Sequence, residues 1–523
     1  MAQPKLRLQQ VEGPMRKTGW TALAVLMLSA CAQQNGAESE EAAEAAASED
    51  TEIAAKTAEK DGDDGDKADG AVHPPLDPYP STYEAYPGET VLLTGATVLT
   101  GAGDRIANGA VLIADGKISA VGAAGDIEAP EGARTVNANG KWITPGIIDI
   151  HSHLGDYPSP SNSTTSDGNE IVNPNTAYVW AEHSVWPQDA GFTRALAGGI
   201  TTLQVLPGSA NLFGGRSAIL KNVPSRSVQG MKFPDAPYGL KMACGENPKR
   251  VYGERGGPQT RMGNFAGYRA AWIEAAAYKK KWEDYWADYD EWAENDDDDK
   301  GDAPDAPTRD LKLETLAGAL NGDITVNMHC YRADEMVQVL DMAKEFGYKV
   351  RTFHHAIEAY KIADYLAENG VCAAMWADWW GFKLEAFDTV GENVALVHAQ
   401  PGGCAIVHSD DALGIQRLNQ EAAKAMADGR RIGVEIEPED AIAWITANPA
   451  EAMGIADETG TLEAGKMADV VVWNGNPFSV YAKAEKVYID GALMYDRSDP
   501  KRSPRVDFEL GLHDNSFTGG AGQ

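Results

Sequence analysis

Between residues 143 and 459, short apolar runs rich in β-branched residues alternate with amphipathic ones. "GITTLQVL", "DITVNMHC", "YKVRTFHH", "GVCAAMWA" and "CAIVHSD" read as strands, and "ADEMVQVLDMAKEFG" and "EAYKIADYLAENG" between them read as helices. This is the βα pattern of a parallel sheet, closed as a barrel or open. Shorter β-rich runs divided by Gly, Asp-Gly and Asn-Gly turns lie on either side, over residues 88–142 and 460–497. The two ends are expected to form one small domain around the long middle. A chain of 523 residues is too long for a single compact core and needs accessories of this kind.

Ahead of residue 88 the texture differs. Lys5, Arg7, Arg16 and Lys17 precede the apolar stretch "WTALAVLMLSA", which is too short to span a bilayer as a stable helix. It ends in "LSAC", which resembles a bacterial lipoprotein signal. That implies cleavage of residues 1–31 before Cys31, lipidation of Cys31 and, with Ala32 following, anchoring to the outer membrane of a Gram-negative cell. Residues 32–87 are expected to be a solvated acidic tether, since the first forty are Ala, Glu, Asp, Gly and Lys with almost nothing to bury. His73 reads as a linker residue, and residues 498–523 as a tail. The net charge of −33 argues against nucleic acid and anionic membrane surfaces as electrostatic partners. The membrane is then reached only through the lipid, and self-association is left open.

The chemistry lies at strand ends. In "IIDIHSHLG" residues two apart share a face, so His151 and His153 point to one side with Ser152 opposite. Two imidazoles on one face are a plausible metal-ligand pair. Further on, His329 ends "ITVNMH", His354 and His355 end "YKVRTFHH", and Asp410 ends "CAIVHSD". Parallel α/β folds place their sites at the carboxyl ends of strands, where all of these residues fall.

Taken together, "TPGIIDIHSH", "GITTLQVLPGSANLFGGRSA", "KMACGENPKRVYG", "HCYRADE", "HHAIEAYKIAD", "HSDD" and "ITANPAEAMGI…GTLEAGKMADVVVWNGNPF" resemble the amidohydrolase superfamily. The similarity is to its imidazolonepropionase-like and Xaa-Pro or Xaa-Arg dipeptidase-like branch, and the pieces occur in the family's order. The resemblance implies a metal-bearing (β/α)8 TIM barrel with a companion β-sandwich built from both chain ends. It implies His151, His153, His329, His355 and Asp410 as ligands to one or two divalent ions. Zn is favoured, with Mn, Fe or Co as alternatives. His355 is preferred to His354 because Glu358 follows it at the family's spacing, and Asp410 is preferred to Asp411. For the fourth-strand bridging ligand, Glu246 needs no modification and is preferred to Lys241, which would have to be carboxylated. Asp410 is the expected proton carrier for a metal-activated water. His408 shares a face with Asp410 and is a candidate for supporting contacts.

Arg332, Arg250, Tyr252 and Arg216 fall in loops after candidate strands, where a guanidinium suits a substrate carboxylate. Trp376 and its neighbours in "MWADWWGFKLE" are placed to wall an apolar substrate, or simply to pack. Tyr278, Trp282, Tyr285, Tyr289 and Trp292 recur at helical spacing inside an insertion of about 270–310, and packing is their expected use. Cys244, Cys330, Cys372 and Cys404 lack a disulfide-framework spacing and are expected by default to be small buried residues, with a bridge among them left open because an oxidising periplasm would permit one. The favoured activity is hydrolysis of amide C–N bonds in small molecules such as dipeptides or N-acyl amino acids. The alternatives are imidazolone ring opening and a non-catalytic envelope lipoprotein that keeps the barrel as a binding module.

Overall fold

The computed structural model describes residues 70–297 and 300–503. The signal with Cys31, the tether up to residue 69, residues 298 and 299 and the tail beyond 503 lie outside the described residues.

Five strands open the fold: β1 (Val91–Leu99), β2 (Arg105–Ala114), β3 (Lys117–Ala123), β4 (Arg134–Asn137) and β5 (Trp142–Pro145). Eight follow in the middle: β6 (Ile147–Ser152), β7 (Ile200–Val205), β8 (Phe213–Lys221), β9 (Gly239–Ala243), β10 (Thr325–Cys330), β11 (Val350–His355), β12 (Cys372–Met375) and β13 (Ala405–Val407). The last three are β14 (Val470–Trp473), β15 (Ala484–Ile489) and β16 (Ala492–Asp496).

Strands from the two ends join as expected, in a sheet of order β16-β15-β14-β5-β1-β2-β3 with β4 paired to β1. β14 lies antiparallel on β5, so the two ends meet next to where the middle begins. The Asp-Gly signals perform as hairpin turns. Asp115 and Gly116, and Asp490 and Gly491, all adopt positive φ, as a tight two-residue turn between twisted strands demands. One continuous eight-stranded sheet stands where a sandwich was expected.

The middle strands form a second eight-stranded sheet, in sequence order from β6 to β13, that is nearly closed. Closure comes from the segment after β13. The Asp410 amide donates to the His151 carbonyl at 3.0 Å. The Ser409 amide and hydroxyl donate to the buried Asp149 carboxylate at 3.2 and 2.5 Å. This barrel-like sheet departs from the all-parallel expectation at β8, which runs antiparallel to both β7 and β9. Seven residues join β7 to β8, too few for the crossover that a parallel neighbour needs.

Two sequence expectations are corrected and a third is met. Residues 70–87 are not a free tether. The Leu76 carbonyl accepts from Arg216 at 2.7 Å, Asp77 pairs with buried Lys232 at 2.9 Å, and Tyr83 bonds Asp490. His73 stacks on Trp286, with ring centres 5.3 Å apart. The four barrel cysteines are two disulfides: Cys244–Cys330 ties the ends of β9 and β10, and Cys372–Cys404 ties β12 to the entry of β13. Sequence spacing could not show this, because parallel pairing brings together residues 86 and 32 positions apart. The aromatic stripe does pack: Tyr278, Trp282, Tyr285 and Tyr289 are buried together along the 34-residue helix Arg261–Glu294.

Candidate metal centre

β6 explains its own composition. Ile147, Ile148 and Ile150 are fully buried, and the strand end delivers His151 and His153 to the mouth of the barrel. The His153 Nδ1–H donates to the Leu206 carbonyl at 2.8 Å, so Nε2 carries the lone pair and faces Asp410 Oδ1 at 3.0 Å. A lone pair and a carboxylate at that distance repel unless a proton or a cation lies between them. Asp410 adopts φ +51° and His355 φ +72°, a left-handed backbone rare outside glycine. Strain of this kind persists where the surroundings fix a side chain's aim.

His151 is aimed by a relay. His354 Nε2–H donates to Asn327 Oδ1 at 3.0 Å, so its Nδ1 accepts from His151 Nδ1–H at 2.9 Å. The His151 Nε2 lone pair then points inward, 3.4 Å from Lys241 Nζ and 3.5 Å from Asp410 Oδ1. Both His354 nitrogens are thereby engaged. His355 keeps Nδ1 without a hydrogen bond, 3.9 Å from Asp410 Oδ2, while its ring stacks on Trp376 at 4.3 Å. His329 lies 4.6 Å from His355, ring to ring, and its Nδ1 is also buried without a hydrogen-bond partner.

Two ligand groups share His151. One is His151, His153 and Asp410; the other is His151, His355 and His408, and each set of donor atoms lies within 4.8 Å. Neither nitrogen of His408 has a hydrogen bond, so this residue is brought closer to the centre than a supporting role requires. Its signal was the period of two that sets it on the Asp410 face. Burial, with Lys241 and the other imidazoles adding to it, holds His151 well below the usual histidine range. Burial also lowers His329, His354 and His355, and takes His408 to about 3. Neutral imidazoles are the form that binds a metal. Burial alone would raise Asp410, but when a proton sits on His153 Nε2 the hydrogen bond and charge of that ring, with His408 and Lys241 nearby, hold it below the ordinary carboxylate value. Orphaned buried nitrogens, neutral rings and a carboxylate facing a lone pair together form a donor set that fits a divalent cation.

The two fourth-strand candidates, Glu246 and Lys241, lie in different places. Lys241 points inward from β9, fully buried, with Nζ donating to the Pro207 carbonyl at 3.0 Å. Burial lowers its amine to about 8. Glu246 opens the helix Glu246–Tyr252 at the rim, where it is 31 % exposed and lies 3.7 Å from Lys383. Its neighbour Asn247 reaches inward instead, to 3.4 Å from His329 Nε2.

The proposed substrate contacts separate. Arg332 is committed to Asp334 at 2.8 Å. Tyr252 is buried and donates to the Asn173 carbonyl at 2.9 Å. Arg216 is buried against Trp180 and donates to Thr315 at 2.8 Å. These three are structural. Trp376 stays at the site on His355, held by its indole N–H to the Ser409 carbonyl at 3.0 Å. Arg250 lines a cavity beside the centre. Lys383 and Asn247 were missed, since Lys383 lies in a loop and Asn247 in the first turn of a seven-residue helix, too short for a periodic signal.

Comparison with known proteins places the chain in a family. The model of the "Amidohydrolase family" matches residues 406–495, which include Asp410. Amidohydrolase tasK of Hapsidospora irregularis is 31% identical over 71% of this chain, and the match spans 38% of that relative's length. An imidazolonepropionase of Rhizobium rhizogenes is 24% identical over 74% of this chain and 90% of its own. The crystal structure of an amidohydrolase from Thermotoga maritima MSB8 superposes with a TM-score of 0.70 at 35% identity, covering 78% of this chain and all of that one. The chain belongs to the amidohydrolase superfamily and is a hydrolase acting on carbon–nitrogen bonds.

Proposed function

We propose that the protein is a metal-dependent hydrolase of amide C–N bonds in small carboxylate-bearing molecules, dipeptide-like or N-acyl amino acids. The observation that carries this reading is the convergence of His151, His153, His355, His408 and Asp410, with His329 beside His355, and with buried nitrogens of His329, His355 and His408 left without a hydrogen bond. His151, His153 and Asp410 would hold one divalent ion, most favourably Zn, and His355 and His408, with the shared His151 and with His329 beside them, would hold a second. A cation held there supplies Lewis acidity, polarising a carbonyl and acidifying water. Asp410, ionised and at the mouth of the barrel beside His151 and His153, is the group that would take the proton of the attacking water. It delivers that proton to the leaving nitrogen. Lys241, buried and with a lowered pKa, is the fourth-strand residue suited to carboxylation as a bridge.

The chain is also proposed to be exported and lipid-anchored at Cys31. The two disulfides support export, since such bonds persist in oxidising compartments. Imidazolone ring opening ranks second because that chemistry belongs to intracellular degradation. The deciding experiment is a screen of N-acyl amino acids, dipeptides and imidazolone propionate on metal-loaded protein. Hydrolysis confined to the imidazolone would reject the proposal.

A further inference from the structure

The mouth of the centre has two unlike sides. On one lies a cavity of about 510 Å³ lined in part by Tyr157, Asn247, Arg250 and Arg255. It reaches the donor set at two points. The Tyr157 ring stands 5.6 Å from the His153 ring, and Asn247 Nδ2 is 3.4 Å from His329 Nε2. Arg255 is anchored to the Ile171 carbonyl at 3.1 Å. Arg250 has no hydrogen-bond or ion-pair partner among the described residues. In a chain with 78 acidic against 45 basic residues, an arginine left without an anion beside a cavity is out of keeping with its surroundings. Lys383 adds positive charge nearby, donating to Asn247 Oδ1 at 3.2 Å.

The other side is aromatic. Trp376 lies on His355, Trp379 stacks on Trp376 at 4.8 Å and 11°, and Phe382 stands edge-on to Trp376 at 5.7 Å. Phe382 remains 54% exposed, so the stack runs from the centre out to solvent as an open apolar shelf. Both acids of its loop are engaged by basic side chains: Asp378 pairs with Lys424 at 2.9 Å, and Glu385 is engaged by Arg261 and lies 3.7 Å from Lys383.

Resting on the reading above, we infer that the amides cleaved are N-acyl amino acids with an apolar acyl group. Their free carboxylate is held by Arg250, and the acyl group lies along Trp376, Trp379 and Phe382. A guanidinium without a partner is the fork that a carboxylate completes. A shelf of stacked rings whose loop acids are already engaged suits an apolar acyl group better than the ammonium of a dipeptide. In the reaction, water adds its hydroxyl to the acyl carbon as the C–N bond breaks. Its proton goes to the nitrogen, leaving a carboxylic acid on the shelf and a free amino acid in the cavity.

The test compares N-phenylacetyl-leucine, N-acetyl-leucine, N-phenylacetyl-leucinamide and phenylalanyl-leucine on Zn-loaded and Mn-loaded protein. N-phenylacetyl-leucine is expected to have the highest kcat/KM, and its carboxamide one about 10- to 100-fold lower, the effect of one charge-assisted contact. Arg250→Gln should bring the acid down to the carboxamide's level, and Trp379→Ala should erase the preference for phenylacetyl over acetyl. Quenching of tryptophan fluorescence by N-phenylacetyl-leucine in metal-free protein gives a readout independent of turnover, and Arg250→Gln should weaken it by the same factor. Equal rates for acid and carboxamide, or a faster dipeptide, would overturn the inference while leaving amide hydrolysis standing. No hydrolysis of any of the four would instead remove the proposed function on which it rests.

Discussion

His354 touches no substrate and offers no free nitrogen, yet its removal should be felt at the centre. In the wild-type protein its ring accepts from His151 at 2.9 Å and donates to Asn327 at 3.0 Å. His354→Ala strands the His151 Nδ1–H and the Asn327 Oδ1 in a region from which water is excluded. Each unsatisfied buried group costs about 1–3 kcal/mol, so the metal-free variant should lose about 2–6 kcal/mol of stability. His151 also loses the partner that fixes which nitrogen faces inward. Removing such a contact commonly weakens metal affinity about 10- to 100-fold, or about 1.4–2.7 kcal/mol. Zinc affinity measured by chelator competition, beside urea unfolding of the same preparations, reads both effects. His354→Gln, which can accept and donate at once, should recover part of the affinity. Unchanged affinity in His354→Ala would refute the relay. Complete loss of binding would show His354 to be a ligand in place of His355.

His151→Asn removes the residue shared by both ligand groups and should abolish hydrolysis with the fold retained by circular dichroism; full activity would exclude the centre. Opening Cys244–Cys330 by paired serine substitution should cost about 4–5 kcal/mol of stability on chain-entropy grounds. Opening Cys372–Cys404, across a shorter loop, should cost about 1 kcal/mol less; unfolding midpoints check the order. Burial holds His151, His329, His354, His355 and His408 below their usual pKa, so below about pH 6.5 the unfolded chain binds protons that the folded one does not. Metal-free protein should therefore lose stability as the pH falls from 8 to 5.5, by up to about 1.4 kcal/mol per pH unit for each histidine that titrates. A higher urea midpoint at pH 5.5 than at pH 8 would contradict this.

The strand-end histidines were legible because a β-strand repeats every two residues, and the repeat placed His151 with His153 and His408 with Asp410. The Asp-Gly turns were legible because few residues tolerate positive φ at two consecutive positions. What escaped was fixed by tertiary contacts. The reversed β8 followed from a short connection, and the disulfides from strand pairing across long separations. Lys241 and Glu246 are five residues apart on one strand and the turn after it, and only the direction of β9 separates the inward amine from the rim carboxylate. Residues 70–87 lack periodicity, and their order comes from partners such as Lys232 and Arg216 far along the chain.

The central claim is that these imidazoles and Asp410 hold the ion on which hydrolysis depends. Elemental analysis of the purified protein, coupled to N-acyl amino acid hydrolysis before and after chelation, tests it in one experiment. The account predicts one to two equivalents of divalent metal, loss of hydrolysis when the metal is stripped, and its return on adding Zn²⁺ or Mn²⁺. Full hydrolysis by protein stripped of metal would contradict it.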